Sequence, residues 1–458
     1  MLFFLLSGIL VSAQEILISG TISDEFGKPL ADASITIKNK SGGVKADSLG
    51  KFYINATKKD VLLISCVGYK SSELIVSSSS FVKISLLSIT ANLNEVVVIG
   101  YGSSRKKDLT GAVATVSSKD FQKGQISTPE QLIAGKLPGV SITSNGGRPG
   151  AGSTIRIRGG SSLRASNDPL IVIDGIPVDN GAVSGSANPL GFINPNDIES
   201  FTVLKDASAA AIYGTRAANG VILVTTKKGT GGKLRINFST NNSVSTIAQK
   251  VDVLTADQFR AVVNEKGSPA QIAMLGSANT DWQDEIYQTA FSTDNNISIS
   301  GGIKKLPYRV SLGYANQQGV LLTDKLERIS AALVVNPSLF ENHLKIDFNL
   351  KGTLQKNMFA DQGAIGGAVS FDPTQPVMAT EKTERFGGFF EWLDPSTTTG
   401  LVNLAGRNPV GLLNQRVDKS NPVRFIGNIQ AAYKFHFLPE LKANINLGYD
   451  LSDGQGSV

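Results

Sequence analysis

From residue 233 onward the chain alternates apolar and polar residues with a period of two, and this limits what it can fold into more than any other feature. That period belongs to strands with two unlike faces. Candidate strands run from Leu234 to Thr246, Asn296 to Gly302, Tyr308 to Asn316, Arg328 to Val335, Leu344 to Leu354, Arg424 to Phe437 and Leu441 to Leu451. In the last two, Ile429, Ala431, Tyr433, Phe435 and Phe437 form one row, and Leu441, Ala443, Ile445, Leu447 and Tyr449 form its match. The intervening connections are in turn long (247–295), short (303–307), middling (317–327), short (336–343), long (355–423) and short (438–440). Alternation of that kind is expected of a transmembrane barrel, with short turns at one end and long loops at the other. No segment offers the roughly 18 to 20 uninterrupted apolar residues of a spanning helix, so a chain like this enters a membrane only as strands.

Composition removes several classes of chemistry. Among 458 residues, 18% are charged and 47 are Gly, which suits many short strands and turns in two or three domains. Cys66 is the only cysteine, so no intrachain disulfide forms, and with His343 and His436 it is too little for a structural zinc site. No G-x-S-x-G run occurs, and Gly229-Thr-Gly-Gly-Lys233-Leu lacks the spacing of a phosphate-binding loop. No metal, cofactor or catalytic residue is expected. The net charge of +6 divides into +2 over residues 1–88, +4 over 89–232 and 0 over 233–458. So small an excess argues against a nucleic-acid partner, and Arg105-Lys106-Lys107 reads as a solvated linker.

Met1 to Gln14 is an apolar run closed by small residues, read as a signal peptide over 1–13, although it lacks a basic start. Residues 15–88 alternate at Ile16, Ile18 and Ile22, at Ala33, Ile35 and Ile37, at Phe52 and Ile54, and at Val82, Ile84 and Leu86, which predicts a small β-sandwich with Cys66 buried as a small hydrophobe. Residues 108–228 change character. Thr128-Pro129-Glu-Gln131 carries the signals of a helix start, and Asp206 precedes an alanine-rich run over 207–211 that Gly214 can end. Strands are predicted at Ser153 to Arg158, Leu170 to Ile173, Glu199 to Leu204 and Gly220 to Thr226, making a compact α/β unit. Seven strands over 233–458 cannot close a barrel, because an open edge in lipid leaves backbone groups unpaired, so a longer parent protein is expected.

The middle segment resembles the SusC/RagA branch of TonB-dependent outer-membrane transporters. The resemblance lies in Glu95-Val-Val-Val-Ile-Gly-Tyr-Gly102, Asp108-Leu-Thr-Gly-Ala-Val113, Leu137-Pro-Gly-Val140, Ile155-Arg-Ile-Arg-Gly159, Asn167 to Val178, Ile193 to Ser200 and, longest, Val203 to Lys228. Gly20 to Leu30, Ala46 to Phe52 and Ser65-Cys-Val-Gly-Tyr69 resemble the carboxypeptidase regulatory-like domain. The fold so implied is mainly β: that sandwich, a linker over 89–107, an α/β plug domain over 108–228, and the opening strands of a plugged transmembrane β-barrel over 233–458.

The resemblance also implies function: import of glycans or peptides across the outer membrane of a Gram-negative bacterium, powered through TonB and its inner-membrane complex, with a SusD-like lipoprotein as lid and outer-membrane lipid around the wall. Glu95, Val96, Val97, Val98, Ile99, Gly100 and Tyr101 are the candidate TonB box, whose β-branched run can add to a partner sheet, or else an ordinary strand ending the linker. Arg156 and Arg158 are candidates for a latch between plug and barrel, or else solvated sheet residues. Trp282, Phe389, Phe390 and Trp392 are candidate substrate contacts, since aromatic faces stack on sugar rings, with loop packing as the plainer reading. Other functions remain open: a siderophore receptor of the same wider class, a secreted β-rich adhesin, or an enzyme using paired carboxylates.

Overall fold

The computed structural model describes residues 16–458 apart from 25–26, 41, 68, 70, 77–80, 87–95, 100–101, 106–112, 125, 127, 161, 165, 180–182, 184, 187–188, 207–210, 304–305, 380–383 and 439. The expected signal peptide therefore lies outside the described residues.

The first unit is a two-sheet sandwich. Strands β1 (Ile16–Asp24), β4 (Lys51–Ala56) and β7 (Phe81–Leu86) form one sheet in the order β4-β1-β7. Strands β2 (Ser34–Ile37), β3 (Gly43–Lys45), β5 (Val61–Ser65) and β6 (Ser72–Ile75) form the other in the order β3-β2-β5-β6. Alternate residues Ile18, Ile22, Ile35, Phe52, Ile54, Ile84 and Leu86 fill the space between them, as the period of two requires. Cys66 is a partial exception to expectation: it packs against this core but is only half-buried. In the linker, β8 (Val96–Ile99) and β9 (Gly102–Arg105) pair as a two-stranded ribbon.

The plug carries a mixed sheet in the order β10-β15-β16-β13-β14, formed by β10 (Val113–Ser117), β13 (Leu170–Ile173), β14 (Ile176–Pro177), β15 (Ile198–Leu204) and β16 (Val221–Thr226). All four residues of β13 are buried, which explains its unbroken apolar run. A separate hairpin joins β11 (Val140–Ser144) to β12 (Ser153–Ile157). The helix expected after Thr128 is a 3₁₀ turn over Pro129–Ile133, with the Gln131 side chain returning to the Thr128 amide at 3.4 Å. Most of the alanine-rich run, 207–210, lies outside the described residues. The 3₁₀ segment Ala211–Ala217 that follows is kinked at Gly214, whose φ of 67° breaks the turn midway rather than ending it.

All seven predicted barrel strands form and pair antiparallel in sequence order: β17 (Arg235–Ser245), β18 (Ala290–Ile303), β19 (Leu306–Gln318), β20 (Lys325–Val335), β22 (Leu344–Phe359), β23 (Asp418–Lys434) and β24 (Lys442–Ser457). A two-residue strand, β21 (Ser338–Leu339), pairs beside β22. At 11 to 17 residues each, the seven meet or exceed the roughly 9–11 that a tilted strand needs to cross a bilayer. The matched rows of β23 and β24 lie opposite each other, Ile429 against Leu447 and Ala431 against Ile445. The faces are inverted relative to a soluble sheet. On β19, Arg309, Ser311 and Gln317 are buried while Val310, Leu312 and Tyr314 stand exposed, Leu312 at 53%.

The strict alternation of connection lengths does not hold. Strands β19 and β20 both extend beyond their expected ends, so their connection shrinks to 319–324 and is shorter than 336–343 at the opposite end. The two long loops, 246–289 and 360–417, do share one end of the sheet. No helix of the described residues is long and apolar enough to cross a membrane.

Candidate functional site

Polar side chains on the inner face of the barrel strands hold the plug. The 3₁₀ turn Pro195–Asp197 is started by Asn194, whose Oδ1 accepts from the Asn196 amide at 3.0 Å, with Pro195 fixing the first turn. This aims Asp197 at β19. Arg309 and Ser311, two residues apart and so on one face, both reach it: Arg309 Nη2 donates to Oδ1 at 2.7 Å and Ser311 Oγ to Oδ2 at 2.8 Å. Both charged side chains are 9% exposed. Beside them Asn194 Nδ2 donates to Ser330 Oγ at 3.2 Å, a close approach that the inward-facing Gly313 permits. Lys227 Nζ donates to the Asn196 carbonyl at 2.8 Å, and burial, with the positive charge of Arg309 adding to it, pushes the Lys227 ammonium below the usual lysine range.

A second attachment centres on Asp174, at the β13–β14 turn with a φ of 47°. Its carboxylate accepts from the Thr226 amide at 2.8 Å and the Thr226 hydroxyl at 2.7 Å, and is paired with Lys351 of β22. Burial raises the Asp174 carboxyl, but the Lys351 charge and the Thr226 donors outweigh it and hold the group below the usual aspartate value. Asn428 of β23 donates to the Asp174 carbonyl at 3.0 Å, and Asn446 of β24 to that of Gly175 at 3.3 Å.

Between these points runs a neutral seam. Thr353, Gln355 and Asn357 occupy alternate, inward positions on β22 and donate to the carbonyls of Phe192 at 2.7 Å, Gly191 at 2.8 Å and Gly185 at 2.9 Å. Arg424 of β23 donates to the Asp179 carbonyl at 3.2 Å while Asp450 neutralises it, Arg424 Nε donating to Oδ1 at 2.8 Å. In this seam barrel side chains donate and plug carbonyls accept, with the Asp179 amide, which donates to Asp450 Oδ2 at 3.3 Å, as the reverse case. Each such bond is worth only about 0.5–1.5 kcal/mol net, because water can replace either partner. The contact is therefore firm in sum and separable in pieces.

The expected site residues fall elsewhere. Arg156, on β12, pairs with Asp168, and Arg158, just past the strand at a φ of 57°, pairs with Asp206. Both acids belong to the plug. The hairpin carrying these arginines is separate from the main sheet and its own flanking loops supply the carboxylates, so the described plug-to-barrel ion pairs are instead Asp197 with Arg309, Asp174 with Lys351 and Lys228 with Asp347. Sequence reading missed them because only the fold brings the partners together, although Asp174 and Asp197 stand inside the quoted motifs.

Trp282, Phe389, Phe390 and Trp392 do come together, as part of a small core between the two long loops. Trp282 is 2% exposed, donates from Nε1 to the Asp372 carbonyl at 2.9 Å and meets Phe371 edge-on at 4.8 Å. It has no free face for a sugar. Phe390 lies edge-on between Phe371 and Trp392, at 6.3 and 5.2 Å. For Trp282 these contacts describe loop packing, while Phe389, Phe390 and Trp392 are only half-buried against the same core. In the candidate TonB box, Val96 to Ile99 form β8, while Glu95, Gly100 and Tyr101 lie outside the described residues. No group of three or more metal-ligating side chains occurs among the described residues.

Comparison with known proteins agrees with this architecture. Residues 105–221 match the TonB-dependent Receptor Plug Domain and residues 18–98 the CarboxypepD_reg-like domain. The chain is 44% identical to TonB-dependent receptor SusC of Bacteroides thetaiotaomicron, over 99% of this chain and 46% of that protein. It is 34% identical to TonB-dependent receptor P3 of Formosa agariphila, over 95% of this chain and 42% of that protein. It thus spans about half the length of the curated relatives it matches. Among solved structures, the RagAB peptide importer in its open-open state shares the fold at a TM-score of 0.60 and 24% identity, covering 79% of this chain and 43% of that one. With a regulatory-like sandwich, a plug seated on barrel strands and SusC-like sequence through nearly its whole length, this chain belongs to the SusC-like TonB-dependent receptors.

Proposed function

We propose that the protein to which this chain belongs imports bulky nutrients, glycans or peptides, across the outer membrane of a Gram-negative bacterium, drawing energy through TonB and working with a SusD-like surface lipoprotein. The observation that carries the reading is the polar seam between plug and wall. A permanent stopper would gain more from an apolar contact, whereas hydrogen bonds to plug carbonyls can be exchanged for water as the plug shifts. The outer membrane holds no nucleotide fuel, so work must be transmitted mechanically. Glu95 to Tyr101 is the proposed grip, and the β8–β9 ribbon supports it: a two-stranded ribbon offers backbone edges to which a partner strand can add. Asp197 with Arg309 and Asp174 with Lys351 take the latch role first assigned to Arg156 and Arg158. The cargo reading rests on resemblance, with RagAB described as a peptide importer.

The test is deletion of residues 95–101 in the full-length receptor. Energised uptake of an oligosaccharide or peptide cargo should cease while binding of that cargo at the cell surface persists. Unchanged uptake would remove the grip from this segment. Uptake of iron chelates in place of either cargo would move the protein to the siderophore class.

A further inference from the structure

A cavity of about 20 Å³ lies in the seam, bounded on the plug side by Thr128, Gly150, Gly185 and Gly191 and on the barrel side by Arg328 and Asn357. That is room for one water and for nothing larger, since a water needs roughly 10–15 Å³. Two of the lining residues, 6% and 7% exposed, each carry a buried side-chain oxygen without a hydrogen-bond partner, Thr128 Oγ1 and Asn357 Oδ1. Neither is an accident of orientation. The Asn357 amide nitrogen donates to the Gly185 carbonyl at 2.9 Å and to Ser420 Oγ at 3.1 Å, so turning the amide over would set two oxygens against each other. At Thr128 the Gln131 amide bonds the backbone carbonyl at 3.1 Å and faces the hydroxyl oxygen only in the looser geometry of a capping box, so the hydroxyl hydrogen is left without an acceptor.

We propose that this cavity is a built site for a single structural water that bridges the Thr128 turn of the plug to Asn357 of β22. The water donates one hydrogen to Asn357 Oδ1 and accepts from the Thr128 hydroxyl, so each buried polar atom gains the partner its burial demands. Gly150 and Gly185 bring plug main chain close to the wall, where a Cβ would lie 2.5 Å from Leu326 Cδ1 and 2.1 Å from Ser420 Oγ, so the narrow gap between plug and barrel here requires glycine. The inference concerns the seam alone and stands whether or not the transport reading does. Its consequence is that one of the plug's attachments to the wall is made through an exchangeable molecule rather than by direct contact.

The experiment is a double-mutant cycle on the full-length protein in detergent, read by thermal unfolding and joined to a density map at better than about 2 Å. T128V keeps the shape but removes the hydroxyl. It should lower the melting temperature by about 2 °C in the natural background and leave it unchanged in the N357A background, where the bridge is already broken. T128S, which keeps the hydroxyl, should melt like the natural protein and show an ordered water within hydrogen-bonding distance of both atoms. Equal T128V losses in both backgrounds, a dry cavity, or Thr128 directly bonded to another protein group would each overturn the proposal.

Discussion

Arg309 of β19 and Asp197 of the plug are 112 residues apart in sequence and form a buried ion pair at 2.7 Å, with Ser311 completing the carboxylate's coordination. Removing one member alone strands a charge in a buried site. R309M should therefore destabilise the plug's seat by about 3–5 kcal/mol, measured as loss of protection from proteolysis in the plug. Restoring an apolar pair with D197L and R309M together should recover much of that loss. An equally damaged double variant would show that the pair's geometry, not its charge balance, holds the turn.

The Asp174 carboxyl, held below its ordinary value of 3.8 despite burial, gives a pH dependence with a definite sign. Between its folded value and 3.8 the unfolded chain binds more protons, so stability rises with pH there. The contribution is fully present above 3.8 and disappears as pH falls through the folded value. Melting temperature measured from pH 6 down to pH 2 should fall below about pH 4 in the natural protein. D174N should flatten that fall, and an unchanged slope would place the acid sensitivity elsewhere.

The legibility of this chain divides by distance along the sequence. Strand identity in the barrel could be read directly, because Leu312 and Arg309 announce opposite faces through a period of two that needs no knowledge of the rest of the fold. Strand ends could not be, since polar residues such as Gln355 and Asn357 continue β22 on its inward face and look like loop from sequence alone. The plug-to-barrel ion pairs were hidden for a related reason. Arg156 and Arg158 advertise charge within one short motif and pair inside the plug, whereas Asp174 and Asp197 find their partners on β22 and β19. Trp282 likewise signals an aromatic face, and only the later loop carrying Phe371 and Asp372 buries it.

Glu391 stands between Phe390 and Trp392 in the outer loop core. Its Oε1 accepts from the Asn408 amide at 3.1 Å, while Oε2 makes no hydrogen bond and has the Arg407 guanidinium only at 3.9 Å. Burial pushes this carboxyl above its ordinary 4.5, against the Asn408 amide and Arg407. A raised folded value means that the folded loops bind more protons than the unfolded ones above pH 4.5. Their stability is then greatest below 4.5 and falls as pH rises through the folded value. E391Q, which can still accept from Asn408, should make the loops between β22 and β23 more resistant to proteolysis at pH 7 and remove the dependence. Equal digestion of both proteins across pH 4 to 8 would contradict this account.

Gly313 faces inward on β19 where Asn194 approaches the wall. A Cβ there would lie 2.4 Å from Asn194 Nδ2 and 2.6 Å from Ser330 Oγ, nearer than any real contact. G313A should displace the 194–197 turn and weaken plug seating by about 1–3 kcal/mol, seen as a lower denaturant midpoint. Adding N194A should return part of the loss, because one of the two clashing groups is then gone. If G313A alone changes nothing, the turn is not held at the distance described.

The last prediction separates packing from recognition at Trp282. Its indole is buried against Phe371 and fixed by the Asp372 carbonyl, joining the loop at 246–289 to that at 360–417. W282A removes a filled volume at the centre of a small core, a loss of about 3–5 kcal/mol where nothing collapses to replace it. Both loops should then be cut faster by protease, including the segment around Leu413, which shares the core. W282F should keep the loops largely intact, because an aromatic ring still fills the space beside Phe371. If W282A instead left proteolysis unchanged and lowered only the affinity for an oligosaccharide, the indole would have to be exposed to cargo, and the buried placement would be wrong.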